Sequence, residues 1–219
     1  MTAAVKAYKG IGMEGGMARW YDRTTRRQMP EFSALAGRIA QIVPGGAAVL
    51  EIAPGPGFLS IELARRGLAV SAVDISRTFV EIARRNAANA GVNARFELGD
   101  AAALPIADAS MDFVVCRAAF KNFSEPVKAL AEMHRVLRPG GTALLMDLRR
   151  DASVAAIRQY VDGLGIGWLD RVFMKLTFRT MLIKRAYPLE EIARMANDAG
   201  WTRPRIEATP LGFEAWTMK

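Results

Sequence analysis

Apolar positions along the chain keep two rhythms. Phe32, Leu35, Ile39 and Ile42 recur at helical spacing, which predicts a helix over Pro30–Val43 that Pro44-Gly45-Gly46 stops. The Gly-, Met- and Arg-rich segment before it reads as loop or short helix. From Ala47 onward, strand-like and helix-like runs alternate. "AAVLEI" predicts a buried strand, Gly57–Arg66 a helix closed by Gly67, and "AVSAVD" a second strand. Ser76 caps a helix whose apolar side carries Phe79, Val80, Ile82 and Ala83 and which Gly91 ends. "ARFELG", "MDFVVC" and "TALLMDL" predict three more strands, with a helix over Glu125–Leu137 before the last.

Alternation of this kind builds a parallel sheet covered by helices on both faces. It pauses between Ala152 and Tyr187, where helical pieces fit Val154–Val161 and Trp168–Met181 around "DGLGIG". A helix over Pro188–Ala199 follows. Then come "RPRIEA" and "LGFEAW", joined by Thr209-Pro210 as an antiparallel hairpin suited to a sheet edge. One α/β domain over residues 1–219 is expected. It comprises an N-terminal cap and first helix (1–45), a core (46–150), a helical insertion (151–187), and a last helix with an edge hairpin (188–219).

Composition narrows the classes. An apolar share of 51% suits a globular protein and is too high for disorder. No apolar run reaches the ~18 residues of a membrane span. The N-terminus lacks the continuous apolar stretch of a signal peptide, which favours the cytoplasm. Cys116 and His134 are each the sole residue of their type, so neither an internal disulfide nor a structural metal site is expected. The formal charge is +8, and its densest stretch runs from Arg149 to Arg185, with eight bases against three acids. Such a surface attracts anions: an acidic substrate, a membrane surface or RNA.

The candidate chemistry begins at "VLEIAPGPGF". A strand ends in Glu51 and breaks into Gly55 and Gly57 just before a helix. Glycine lets a ligand approach the bare backbone, and ligands of such sheets bind beyond the carboxyl ends of the strands. Asp74 ends the next strand, where an acid can accept hydrogen bonds from both hydroxyls of a ribose. A nucleoside ligand follows. A dinucleotide fingerprint wants a third glycine, and that position here is Ser60. S-adenosylmethionine has no pyrophosphate and needs an acid near its cationic amino-acid end, which Glu51 supplies.

These residues carry a resemblance. "VLEIAPGPGFLSIELARRG", "VSAVDIS", "FELGDAAALPIADASMDFVVCRAAFKNF" and "PVKALAEMHRVLRPGGTALLMDL" together resemble the successive motifs of class I S-adenosylmethionine-dependent methyltransferases. The similarity runs from Val49 to Leu148 and is strongest to the small-molecule branch that includes the ubiquinone- and menaquinone-pathway enzymes. It implies a Rossmann-like, doubly wound, mostly parallel seven-stranded sheet with an antiparallel C-terminal hairpin and a helical lid insertion. It implies that Glu51, Ala53, Gly55 and Gly57 surround the methionine end of S-adenosylmethionine, and that Asp74 holds the ribose. Ile75 would pack on the adenine, and Asp100 would meet the adenine amine with Ala101 close by. Arg117 would lie near the sulfonium, and Tyr21, or in second place Tyr8, would fold over the cofactor.

The pattern departs in "CRAAFKNF", where Lys121 and Asn122 stand at positions at which relatives often carry histidine. His134 lies within a helix and does not replace them. Lys121 and Arg117 are then the candidates for orienting or ionising an acidic nucleophile. The resemblance implies in-line methyl transfer to a small aromatic, quinol-like or lipidic acceptor, with S-adenosylhomocysteine as product and no metal. Leu169, Val172, Phe173, Leu176 and Met181 fall on one side of a basic helix. That helix is expected to act as a lid over an apolar pocket with a basic rim, or to touch a membrane through residues 168–185. RNA as the substrate is disfavoured, because no appended RNA-binding module and no N-P-P-[YF]-type motif is found. A non-catalytic cofactor- or partner-binding domain is the other alternative. Monomer and homodimer both remain open.

Overall fold

A computed structural model describes residues 8–9, 12–163, 167–168, 171–172, 176 and 182–219. Seven strands among the described residues form one sheet in the order β3-β2-β1-β4-β5-β7-β6. The parallel part comprises β1 (Ala48–Ile52), β2 (Ala69–Asp74), β3 (Ala94–Leu98), β4 (Met111–Arg117) and β5 (Leu137–Leu148). β6 (Arg205–Ala208) and β7 (Gly212–Met218) make the C-terminal hairpin, and β7 pairs antiparallel with β5.

Strand periodicity explains why the central strands are apolar throughout. Phe113 and Val115 point to one face of β4 and Val114 and Cys116 to the other, and all four are buried. On the first face lie α2 (Met29–Ala40), α3 (Phe58–Ala64) and α4 (Arg77–Asn89). On the second lie α5 (Pro126–Val136) and α7 (Leu189–Asp198), whose Leu130, Met133, Ile192 and Met195 pack on Leu50, Ile52 and Leu145. Between them in sequence is α6 (Val154–Gly163), which buries only Ile157 and Val161. Order reverses between β1 and β4, so the crevice for a ligand opens beyond Ile52 and Arg117.

Three boundaries differ from the pattern reading. The segment before Pro30 contains a full helix, α1 (Gly15–Thr25), although Gly15 and Gly16 open it. Tertiary contact overrides propensity there, because Ala18 is wholly buried and packs with Phe79 and Ile82 of α4. The helix over Glu125–Leu137 ends at Val136, and the chain enters β5 directly. The register between β4 and β5 then shifts at Arg138–Gly141, absorbing the expected Pro-Gly-Gly stop as an irregularity within the pairing. Of the basic helix over Trp168–Met181, Leu169, Phe173, Lys175, Arg179 and Met181 lie outside the described residues; Trp168, Val172 and Leu176 are described and exposed.

Candidate active site

The first strand places Glu51 by alternation. Its neighbours Leu50 and Ile52 face α5, so Glu51 faces α3, whose Ser60 donates its hydroxyl to the Glu51 carboxylate. Only 4% of Glu51 is exposed, and burial pushes its pKa up to about 7. Asp74, at the tip of β2, is equally enclosed. Its Oδ2 accepts the Gly55 amide at 3.0 Å and its Oδ1 the Ser76 amide at 2.9 Å. Burial outweighs these bonds and raises its pKa to about 6. Among the described residues neither acid forms an ion pair, although the Arg117 guanidinium acts on Glu51 from a distance and partly offsets the effect of burial.

Between the two strand tips the chain makes its Gly-rich turn. Gly55 has φ +54°, and a Cβ there would stand 3.8 Å from the Tyr21 ring and 4.0 Å from that of Phe79. The bare backbone therefore forms part of a wall. Gly57 does something else. Its φ is +81°, and a Cβ would press to 2.9 Å from Ala83 and 3.0 Å from Phe96. It lets α3 start against α4 and β3, and it does not line the cavity. Of the two glycines expected at the ligand, the structure thus sets Gly55 at the cavity and Gly57 in the packing behind it.

The cavity measures about 220 Å³. Glu51, Ala53, Gly55, Asp74 and Ile75 line it. So do Tyr8, Phe32, Arg117, Ala118 and Phe123, and Tyr21 and Phe79 meet edge to face at 5.8 Å between ring centres. Both tyrosines named from the sequence are thus at the cavity. Tyr8 arrives there because it bridges to Phe123 and Lys9 donates its amide to the Asn122 carbonyl at 2.6 Å.

Residues that the sequence did not single out complete the wall. Glu14 accepts the Arg77 amide at 3.0 Å and the Thr78 amide at 3.1 Å, and also the Thr78 hydroxyl, which caps the first turn of α4. Met13 accepts the Ser76 hydroxyl at 2.7 Å. The segment ahead of α1 is thereby fastened to the start of α4, beside Asp74. The helix-start signal that could have shown the need for a cap is Ser76, which takes the third amide, that of Phe79, at 3.0 Å. It does not show that the other two donors go to a residue more than sixty positions earlier.

Three expected site residues stand elsewhere. Lys121 is 6% exposed and donates to Asp147 Oδ1 at 2.9 Å and to the Ala118 carbonyl at 2.8 Å. Its ammonium is held in a buried ion pair and does not line the cavity. Asp100 closes a local turn by accepting the Ala102 amide at 2.9 Å, and Ala101 packs against the core around Leu104; neither lines the cavity. Arg117 does line it. Its guanidinium donates to Glu31 at 2.9 Å and lies over the Phe32 ring at 4.5 Å. His134 sits in the last turn of α5, on the far side of the sheet from Glu51, where its backbone carbonyl accepts Lys219.

This arrangement can hold a ligand that is cationic at one end and carries a diol. The methyltransferase-domain family matches residues 50–145. Over 193 residues the chain is 30% identical to the ubiquinone biosynthesis O-methyltransferase of Xanthomonas axonopodis, a match covering 82% of this chain and 79% of that one. The chain belongs to the S-adenosylmethionine-dependent methyltransferase family. A second methyltransferase relative, the demethylmenaquinone methyltransferase of Deinococcus radiodurans, is 42% identical over 107 residues. That match covers 48% of this chain, and the chain spans only 44% of that protein's length. Among solved structures, a Methanococcus maripaludis protein assigned to the same methyltransferase class superposes with a TM-score of 0.74 at 21% identity. It covers 96% of this chain and 95% of that one. At that identity the likeness concerns the fold, and it agrees with the seven-stranded sheet and its terminal hairpin.

Proposed function

We propose that the protein transfers a methyl group from S-adenosylmethionine to a small aromatic acceptor by in-line displacement. The observation that carries this reading is the pair of buried acids, Glu51 and Asp74, that face one cavity without an ion-pair partner among the described residues and flank the bare Gly55 backbone. The residues fit the cofactor. Asp74 keeps a lone pair on each oxygen beyond the two amides and can accept both ribose hydroxyls. Glu51 would face the ammonium end, and half-exposed Ile75 offers an apolar surface for a base. S-adenosylmethionine, when bound, supplies a methyl already activated on a sulfonium.

The protein's own part is then to position and to exclude water. The rings of Tyr8, Phe32, Phe79 and Phe123 give the cavity an aromatic lining, and effective alignment alone can supply a large share of such a rate. No histidine lines the cavity, so an acceptor that is already ionised suits it. The names of the relatives, a quinone-pathway O-methyltransferase and a demethylmenaquinone methyltransferase, favour a phenol- or quinol-like ring. Exposed Trp168, Val172 and Leu176, four residues apart in a basic stretch, support contact of this segment with a lipid surface from which such rings are drawn.

Calorimetric titration tests the reading. S-adenosylmethionine is expected to bind in the micromolar range, and NAD is not. Asp74→Ala is expected to lose about 10- to 100-fold of that affinity, the worth of charge-assisted hydrogen bonds. Binding of NAD alone would overturn the cofactor assignment.

A further inference from the structure

The cavity carries one basic side chain among its lining residues, Arg117. Its surroundings are unlike those of Lys121, the other cation near the tip of β4. Lys121 and Asp147 are 7% and 1% exposed at their side chains, so that pair is sealed. Arg117 is 21% exposed, while its partner Glu31 is 56% exposed on the rim. An ion pair with so exposed a partner is weakly held, because water competes for the carboxylate. The guanidinium plane is fixed independently, by stacking on Phe32 at 4.5 Å, and Gln28 lies at 3.5 Å. What results is an oriented fork of donors at the cavity wall whose present acid can be exchanged for another.

The other charged residues that line the cavity are acidic: Glu14, Glu51 and Asp74. An anionic group entering the cavity is repelled by these and drawn to Arg117. We infer that Arg117 is the specificity residue for the acceptor, and that the acceptor is an aromatic ring bearing an anionic group, a carboxylate or an ionised phenol, which takes the place of Glu31. The inference rests on the methyltransferase reading. It also accounts for the lack of an imidazole base. With the acceptor phenol ionised beside the guanidinium, its oxygen lone pair forms the new carbon–oxygen bond as the sulfur–carbon bond breaks. Sulfur keeps the electron pair, and no proton has to move in that step.

The test uses the whole chain saturated with S-adenosylhomocysteine, titrated with salicylate and with salicylamide, which share a ring and differ in charge. Salicylate is expected to bind at least tenfold more tightly. Arg117→Met is expected to remove that preference, and Arg117→Lys to keep only part of it. Glu31→Gln, which removes the competing acid, is expected to raise salicylate affinity several-fold and leave salicylamide unchanged. Equal binding of the two rings, binding of neither, or a preference that survives Arg117→Met would overturn the inference. If Arg117→Met does not fold, the Glu31→Gln result decides, since no gain for salicylate has the same meaning. Binding of salicylate without any binding of S-adenosylhomocysteine would overturn the methyltransferase reading and leave the anion site standing.

Discussion

The carboxyl edge of the sheet buries acids at two places and treats them in opposite ways. Past β4 and β5, Asp147 receives the Lys121 amide at 2.8 Å, the Lys121 ammonium at 2.9 Å and the Leu148 amide at 2.7 Å. At the tips of β1 and β2, Glu51 and Asp74 have hydroxyl and amide donors only among the described residues, and both keep raised pKa values. Both regions are enclosed, so burial alone does not separate them. The difference is whether the protein sets a countercharge in direct contact with the acid: Lys121 touches Asp147, whereas Arg117 acts on Glu51 only from a distance. A completed pair is scaffold, and an acid that still wants a cation is a place for one to bind.

The sharpest way to break this contrast is to remove Lys121. Lys121→Met strands Asp147 in the interior with backbone donors alone. A loss of about 3–5 kcal/mol is expected in urea unfolding, the usual cost of an orphaned buried charge. Affinity for S-adenosylmethionine in the folded fraction should stay within about twofold. The opposite result, unchanged stability with turnover abolished, would return Lys121 to the chemistry and erase the distinction between the two regions.

How far the sequence could show this depends on the range of each interaction. The order of strands and helices was legible because apolar periodicity is local, and Glu51, Gly55 and Asp74 were legible because they sit at consecutive strand tips. The Lys121–Asp147 pair was not, because 26 residues separate its members and only the register of β4 against β5 brings them together. From its own neighbours Lys121 reads as a free loop cation. The two glycines teach the same lesson at shorter range. They share a turn and a positive φ, yet Gly55 packs beside Tyr21 at the cavity and Gly57 faces Ala83 and Phe96 in the core. Which is which depends on the helices packed behind them. Glu14 carried no periodic signal at all, and its role rests on the start of α4, 63 residues on.

The next prediction concerns pH and tests the acids that lack a partner. Glu51 has an ordinary pKa of 4.5 and a folded value of about 7, so the folded chain holds this proton more tightly than the unfolded one. Its contribution to stability is therefore full below pH 4.5 and is lost as the pH rises to about 7, a span worth roughly 3 kcal/mol. His134, whose pKa burial lowers, acts in the opposite sense, so the comparison must be made between variants. Glu51→Gln is expected to be more stable than the parent at pH 8 and close to it at pH 4.5, measured by urea midpoints. Bound S-adenosylmethionine should reverse the advantage, since its ammonium wants the ionised acid. Its affinity for the parent is expected to fall as the pH drops below about 7 and again below about 6, where Asp74 takes up its proton. A Glu51→Gln minus parent difference that ignores pH would mean that Glu51 finds a countercharge after all.

The smallest effect asks whether the two regions differ in charge alone or also in backbone. Ala53 follows β1 with φ +56°, and Ala118 follows β4 with φ +61°. Each donates its amide to a carbonyl of the neighbouring strand at 2.8 Å, Ala53 to Val73 and Ala118 to Met146. Both line the cavity. A left-handed conformation costs a residue with a Cβ about 1–2 kcal/mol, of which glycine gives back about 0.5–1 kcal/mol through the freedom it gains when unfolded. Ala53→Gly and Ala118→Gly are each expected to stabilise the fold by up to about 1 kcal/mol in thermal unfolding, because the strain at the two strand tips is alike. Their ligand effects should part company. Ala53 adjoins the acids that await a cation, so a looser turn is expected to raise the dissociation constant for S-adenosylmethionine several-fold. Ala118 adjoins the sealed pair, which holds its carbonyl through the Lys121 ammonium, and the same change there should leave that constant where it was. Equal losses at both positions would locate the difference between the regions in the stiffness of the whole strand edge, and not in the presence of a countercharge.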